Sequence, residues 1–299
     1  MDFLEVFFPV SGVKTYIFIP PLVAMVISFF TSMGGVSGAF LLLPFQMSIL
    51  NYTTPSVSAT NFVFNIVAIP SGVYRYIKEG RMTWPLMWTI IVGTLPGVFI
   101  GYYIRVLYLP EPKAFKVFAG LVLLYIGIKL FYETKKPKSP SEGRLSMERP
   151  ENMIVKTVSS NLLRVEYEFR GERFGFSVIS VLLLAFVVGI VGGTYGIGGG
   201  AIIAPFCVAV FRLPVYTVAG AALAGTFITS IAGVTFYSVI PSGFNTSPDW
   251  LLGMLFGAGG FVGMYLGARV QKFVPQKAIK LMLSLVILFV AIKYIVQYF

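Results

Sequence analysis

Apolar residues in this chain gather into runs at about 17–33, 38–50, 56–77, 85–108 and 113–132, and again at 176–195, 199–211, 215–240, 249–268 and 278–298. The longer runs have the length needed to cross about 30 Å of hydrocarbon as helix. The runs at 38–50 and 199–211 are shorter. Each follows a glycine cluster, Gly34-Gly35-Val36-Ser37-Gly38 or Gly192 to Gly200, and offers enough apolar residues for a half-helix rather than a comfortable crossing. The pattern predicts an all-α polytopic membrane protein with about 8–10 membrane segments, two of them broken at glycines.

A polar stretch separates the two groups of runs, giving an N-terminal membrane part at 1–132, a linker at 133–175 and a C-terminal membrane part at 176–299. Within the linker, LLRVEYEFRGERFGF at 162–176 alternates apolar and charged residues around Arg170-Gly171, the pattern of a short solvent-facing β-hairpin. It reads as a cytosolic connector, with a regulatory element as the alternative.

The two membrane parts resemble each other. Laid over one another without a gap, GVSGAFLLLPF (35–45) falls on GIGGGAIIAPF (196–206), PSVSATN (55–61) on YTVAGAA (216–222), and Gly72 on Gly233. Further on, GVFIG (97–101) matches GMYLG (263–267) and GIKLF (127–131) matches AIKYI (291–295). Their common order points to a duplication, a frequent construction among transporters.

Only 12% of residues are charged and 57% are hydrophobic, against roughly 25% charged in a soluble domain, which makes this an integral membrane protein. A net charge of +11 would suggest nucleic acid in a soluble chain. Here the basic residues stand at segment ends, where the excess of Lys and Arg on cytoplasmic loops explains them, and no nucleic-acid module appears. If Arg75, Lys78 and Arg81, then Lys135, Lys136 and Lys138, then Arg269, Lys272 and Lys277 lie inside, the loop 241–250, which carries no basic residue, lies outside and the halves are inverted. Arg105, Lys113 and Lys116 then flank an outside loop, against the trend. A continuous crossing through each broken segment would make the repeats parallel instead. The N-terminal stretch lacks a basic region followed by a small-residue cleavage site, so the first apolar run reads as mature structure.

One cysteine and no histidine exclude multi-thiolate metal sites and imidazole chemistry, and no cofactor is expected. Gly196, Gly198 and Ala201 fit a G-x-G-x-x-A dinucleotide turn, but no strand–helix alternation or acidic ribose partner accompanies them. No carboxylate stands in the middle of a membrane segment, so an intramembrane enzyme lacks its base and a transporter lacks the usual proton carrier.

Glycine breaks in hydrocarbon are tolerated where the backbone is buried or lines an aqueous cavity. The helix that follows presents free N–H groups and the positive end of its dipole, which favour an anion. Two such ends facing each other would form a small anion site. The alternative, close helix packing, is preferred for Gly97, Gly101, Gly263 and Gly267.

GGVSGAFLLLPF paired with VGIVGGTYGIGGGAIIAPF, with PSVSATN and YTVAGAALAGTF following, resembles the TauE/SafE sulfite exporter family over 17–132 and 176–298. The resemblance implies a multi-pass plasma-membrane permease for small sulfur-containing anions such as sulfite or organosulfonates, usually working outward, and possible homo-oligomers. It puts the repeated glycine elements on Gly34, Gly35, Gly38, Gly196, Gly198, Gly199 and Gly200. Ser37 and Tyr195 are the nearest hydroxyls, and Asn61 and Asn65, four apart on one helix face, have amides that could reach sulfonate oxygens or serve as interhelical glue. On this reading Gly199→Leu should block flux without unfolding the protein. Cys207 is a packing residue or, less simply, a thiol that relays sulfur. A membrane scaffold or sensor working through the linker is the alternative function.

Overall fold

The computed structural model describes residues 4–33, 36–135, 154–270 and 276–296. The chain enters through an antiparallel hairpin, β1 (Glu5–Phe8) and β2 (Val13–Tyr16), that leads directly into α1 (Ile19–Met33). Prolines at positions 20 and 21 suit its first turn, where no N–H partner is lost. After the first break come α2 (Ala39–Ser48), α3 (Ser56–Lys78), α4 (Trp84–Tyr103) with a π turn at Ile104–Tyr108, and α5 (Pro112–Lys135). The second half runs β3 (Lys156–Ser160), β4 (Arg164–Phe169), β5 (Glu172–Ser177), α6 (Val178–Tyr195), α7 (Gly200–Phe211), α8 (Val215–Val239), α9 (Trp250–Val270) and α10 (Gln276–Val296).

The fold is mainly helical. Among the described residues, five helices are long and apolar enough to cross a membrane: α3, α4 with its π turn, α6, α8 and α9. In the most apolar window of α3 and of α8, 78% of residues are buried, against 44% for α6. α3 and α8 therefore form the centre, and α6 turns apolar side chains such as Leu183 and Val187 outward, as a lipid-facing helix must.

Helices from opposite halves pack together. α1 lies along α9, α4 along α6, α3 against α8 and α9, α4 against α8, and α5 along α10. Glycines set the tightest of these seams. A Cβ at Gly97 would come 2.7 Å from Ile190 N, one at Gly193 2.7 Å from Val98 Cα, and one at Gly189 2.9 Å from Thr94 Cα. On the other seam, Gly263 would press on Met25 and Gly267 on Phe29 and Ser32. Lipid tails are as apolar as leucine, so helices in a bilayer gain from such backbone contact rather than from leaving water. Gly97, Gly263 and Gly267 are packing glycines, as expected, and Gly189 and Gly193 join them.

The linker hairpin forms as its alternation predicts: β4 and β5 pair from Arg164↔Ser177 to Phe169↔Glu172, and Arg170 (φ 53) and Gly171 (φ 75) make the turn. β3 adds a third strand that the sequence reading did not anticipate. The expectation of a solvent-facing hairpin needs correction. Val165, Tyr167 and Phe169 are buried on the helices, and the Tyr167 hydroxyl is 2.8 Å from Thr217 Oγ1 at the start of α8. Burial raises the Tyr167 phenol above its ordinary pKa, keeping its proton available for that bond. Val155 N donates to Gly80 O at 2.8 Å, so the sheet also touches the α3–α4 connection. The charged residues of β4 alternate with these apolar ones and face away, which is why the sequence pattern alone suggested exposure.

The N-terminal hairpin sits on the α9 end instead. Ser11 donates to Asp249 Oδ2 through both N (3.1 Å) and Oγ (2.8 Å), while Asp249 Oδ1 accepts from Leu252 N at 3.1 Å and so caps α9. Its strands have only four residues each, too short for a periodic signal.

Candidate functional site

Both helix breaks come together at the centre of the bundle, and α3 joins them. α6 stops where Gly196 takes the left-handed conformation (φ 87), and Gly196, Ile197 and Gly198 all turn their N–H groups back to Gly192 O. Gly198 is also left-handed (φ 76). α7 then starts at Gly200 with no side-chain cap. In the first half, Ala39 N donates to Ser37 Oγ at 3.2 Å, fastening the start of α2.

Asn61 and Asn65 tie these two turns to each other. Asn61 Nδ2 donates to Ala39 O (2.9 Å) in α2 and to Gly196 O (3.0 Å) beyond α6. Asn65 Nδ2 donates to Ile197 O (3.0 Å) and Ser230 Oγ (3.1 Å), while its Oδ1 accepts from Ser37 Oγ. The four-residue spacing puts both amides on one side of α3, as the sequence predicts. In this state each amide spends both its hydrogens on protein acceptors, so the pair acts as a clasp between the breaks.

Tyr195 extends the clasp. Its hydroxyl donates to Phe40 O at 3.0 Å across the two halves, and Ser58 Oγ donates to Tyr195 O at 3.4 Å. Ser37, Asn61, Asn65 and Tyr195 are all fully buried. Gly35 lies outside the described residues. Gly38 packs against α1, where a Cβ would stand 2.9 Å from Ser28 Oγ.

The glycines of the second break are tightly enclosed. A Cβ at Gly198 would meet Thr226 Cγ2 at 2.8 Å, at Gly199 Thr94 Cβ at 2.7 Å, and at Gly200 Thr226 N at 2.8 Å, with Ala222 O closer still. Thr226 and Thr229 bond to their own helix, through Ala222 O (2.9 Å) and Gly225 O (2.8 Å). Leucine at Gly199 would therefore collide with α4, and the expectation that it folds while blocking flux is corrected: that position has no room for any side chain.

Three buried polar groups near the breaks were not singled out by sequence. Ser28 Oγ, beside Gly38, and Gln46 Oε1, whose Nε2 donates to Asn61 Oδ1 at 3.4 Å, have no hydrogen-bond partner among the described residues. The third is Arg105 in the π turn, fully buried, whose Nη1 donates to Leu109 O and whose Nε and Nη2 have no partner among the described residues. Read from sequence, Arg105 was only a basic residue near a segment end; a charge inside the apolar run 85–108 was the available signal.

Cys207 is buried, as a packing residue would be. Among the groups outside the helices, the Tyr52 phenol is pushed up by burial and shares hydrogen bonds with Ser56 (2.7 Å) and Thr60 (2.8 Å) at the start of α3. It stays a neutral donor and acceptor there.

Comparison with known proteins adds three findings. The family model of the sulfite exporter TauE/SafE matches residues 21–294. A "Probable membrane transporter protein YunE" of Bacillus subtilis (strain 168) is 24% identical over 275 residues, 89% of this chain and 92% of that protein. A second protein from the same organism, "Probable membrane transporter protein YdhB", is 30% identical over 95 residues, 32% of this chain and 37% of its own length. No solved structure matches significantly.

Proposed function

This chain belongs to the sulfite exporter TauE/SafE family, and on that premise we propose that it carries small sulfur-containing anions, such as sulfite or an organosulfonate, outward across the plasma membrane. The observation that carries the reading is the shared clasp. Two glycine-rich helix breaks, far apart in sequence, are joined by one asparagine pair at the centre of an apolar bundle. Non-helical backbone at such a depth belongs to a pathway in membrane proteins.

The anion binds between the breaks. Ser37 and Gly38 contribute the opening of α2, with the Ser28 hydroxyl beside it, and Gly196, Gly198, Gly199 and Gly200 contribute the opening of α7. Both openings present N–H groups and a positive dipole end. Asn61 and Asn65 exchange Gly196 O and Ile197 O for substrate oxygens as the clasp opens, and Tyr195 releases Phe40 O in the same movement. The exchange keeps the amide donors paired, and the released carbonyls take their hydrogen bonds from water in the opened path.

The halves act as inverted repeats. In support, exchanging the halves maps the α1–α9 seam onto α4–α6 and leaves α3–α8 and α5–α10 as self-pairs. Each half also opens with a small β element leading into its first helix. The membrane parts 1–132 and 176–299 then rock about the α3–α8 contact, with the linker sheet at the cytosolic end and the N-terminal hairpin outside.

Proteoliposomes containing the purified protein should release preloaded sulfite or methanesulfonate faster than empty vesicles, and an imposed inside-negative potential should speed the loss. Absence of flux for a panel of sulfur oxyanions under every gradient tried would sink the reading.

A further inference from the structure

Arg105 is a full positive charge inside the protein, and its environment leaves it half satisfied. Its guanidinium lies 3.7 Å from the centre of the Phe115 ring and gives one Nη1 hydrogen bond to Leu109 O. Nε and Nη2, the two nitrogens of one edge, have no partner among the described residues although the residue is wholly buried. A ring face and one carbonyl offset part of the loss of water, but an edge of unpaired charged donors in an apolar bundle is costly to keep. Ionisable groups buried within a membrane segment characteristically face a pathway and meet their partner there.

The surroundings connect Arg105 to the breaks by two routes. One helical turn earlier, Gly101 abuts the end of α6, where Thr194 Oγ1 donates to Gly101 O at 3.2 Å, two residues before Gly196. Across the guanidinium, the Phe115 ring stands 6.3 Å from the ring of Tyr195, whose hydroxyl reaches α2. The π turn at Ile104–Tyr108 carries Arg105 out of the α4 spiral, and such turns concentrate at functional sites. The same helix end bonds to the outer α8–α9 connection, through Tyr102 hydroxyl to Ile240 O at 3.1 Å.

We propose that Arg105 is an anion-binding residue of the transport path, its Nε and Nη2 edge holding two oxygens of a sulfur oxyanion between the helix breaks and the side of the N-terminal hairpin. This rests on the transporter reading above. The edge presents two parallel N–H groups, a match for two oxygens of sulfite or a sulfonate that an ammonium cannot reproduce. If Arg105 were only a cation set against carbonyls, a lysine would serve equally and anion affinity would not depend on it.

The test uses the full-length protein with sulfite and methanesulfonate as probes, reading the half-saturating concentration for thermal stabilisation in detergent and for flux in proteoliposomes. Arg105→Lys should raise both half-saturating concentrations by about tenfold with maximal flux largely retained, and Arg105→Gln should abolish saturable binding. Wild-type half-saturation in the lysine variant would overturn the proposal while leaving the transporter reading intact. Neither binding nor flux in the wild type would overturn both. Should the glutamine variant not fold, the lysine variant, which keeps the charge, decides alone.

Discussion

Asn61 and Asn65 each spend two donors on groups from separate parts of the chain, so their removal takes hydrogen bonds from the carbonyls around both breaks. An unsatisfied buried carbonyl costs about 1–3 kcal/mol. Asn61→Leu, which removes a donor from Ala39 O and from Gly196 O, should therefore lower the thermal midpoint in detergent and cut sulfite flux at least about tenfold. Wild-type flux in that variant would remove Asn61 from both clasp and site. Cys207 is buried in α7 and nothing in the clasp depends on it, so Cys207→Ala should retain wild-type flux. A loss of flux with the fold intact would reinstate a thiol relay. The asparagine pair was legible from its spacing, because four residues on a helix fix a common face. Ser28 was not, because its burial comes from α1 meeting the first break, and Arg105 showed only as a charge inside an apolar run, with nothing local to announce the π turn that buries it.

At the scale of elements, the glycine seams decide whether the two halves can meet at all. Gly97 faces the backbone of α6 at Phe186 and Ile190, and Gly263 faces that of α1 at Met25. Backbone cannot yield as a side-chain tip can, so Gly97→Leu or Gly263→Leu should exceed the ~1–3 kcal/mol usual for overpacking and abolish a monodisperse peak in size-exclusion chromatography. Gly243→Ala, in open space, is the control and should behave as wild type. Sequence disclosed that these glycines pack, since small residues recur every four positions on one face. It could not disclose the partner, because a small-residue stripe accepts any helix that approaches closely. The linker shows the same division. Its alternation announced a hairpin, but whether Val165, Tyr167 and Phe169 met water or protein depended on the end of α8 lying beneath them. Deleting the sheet would uncover those side chains, so loss of function after deletion would report damage to the bundle as readily as signalling.

For the molecule as a whole, the contacts at its two ends fix how the chain threads between them. The linker sheet touches Gly80 and Thr217, whereas the N-terminal hairpin touches Asp249. α3 begins beside Asp249, where Thr60 Oγ1 accepts from Asp249 N at 2.9 Å, and finishes at the Gly80 end. α8 runs the other way, from Thr217 towards the 241–249 connection, to which Thr246 Oγ1 returns with a 2.9 Å bond to Tyr237 O. On the proposed inverted reading α6 leaves the sheet end, α7 returns after the break and α8 crosses again, which puts residues before α6 and after α8 on opposite sides. A continuous crossing through α6 and α7 would put them on the same side. The two threadings are separated by single cysteines placed at Leu162, which is exposed, and at Gly243, in a Cys207→Ala background. On the proposed orientation, with the basic end carrying Arg75, Lys78 and Arg81 inside, a membrane-impermeant maleimide on intact cells should label position 243, and position 162 only after permeabilisation. Equal labelling of both from outside would refute the inverted arrangement. The same experiment orients Arg105, which shares its end of α4 with Ile240 and hence with position 243. Labelling at 243 alone would put the guanidinium on the outer side of the breaks.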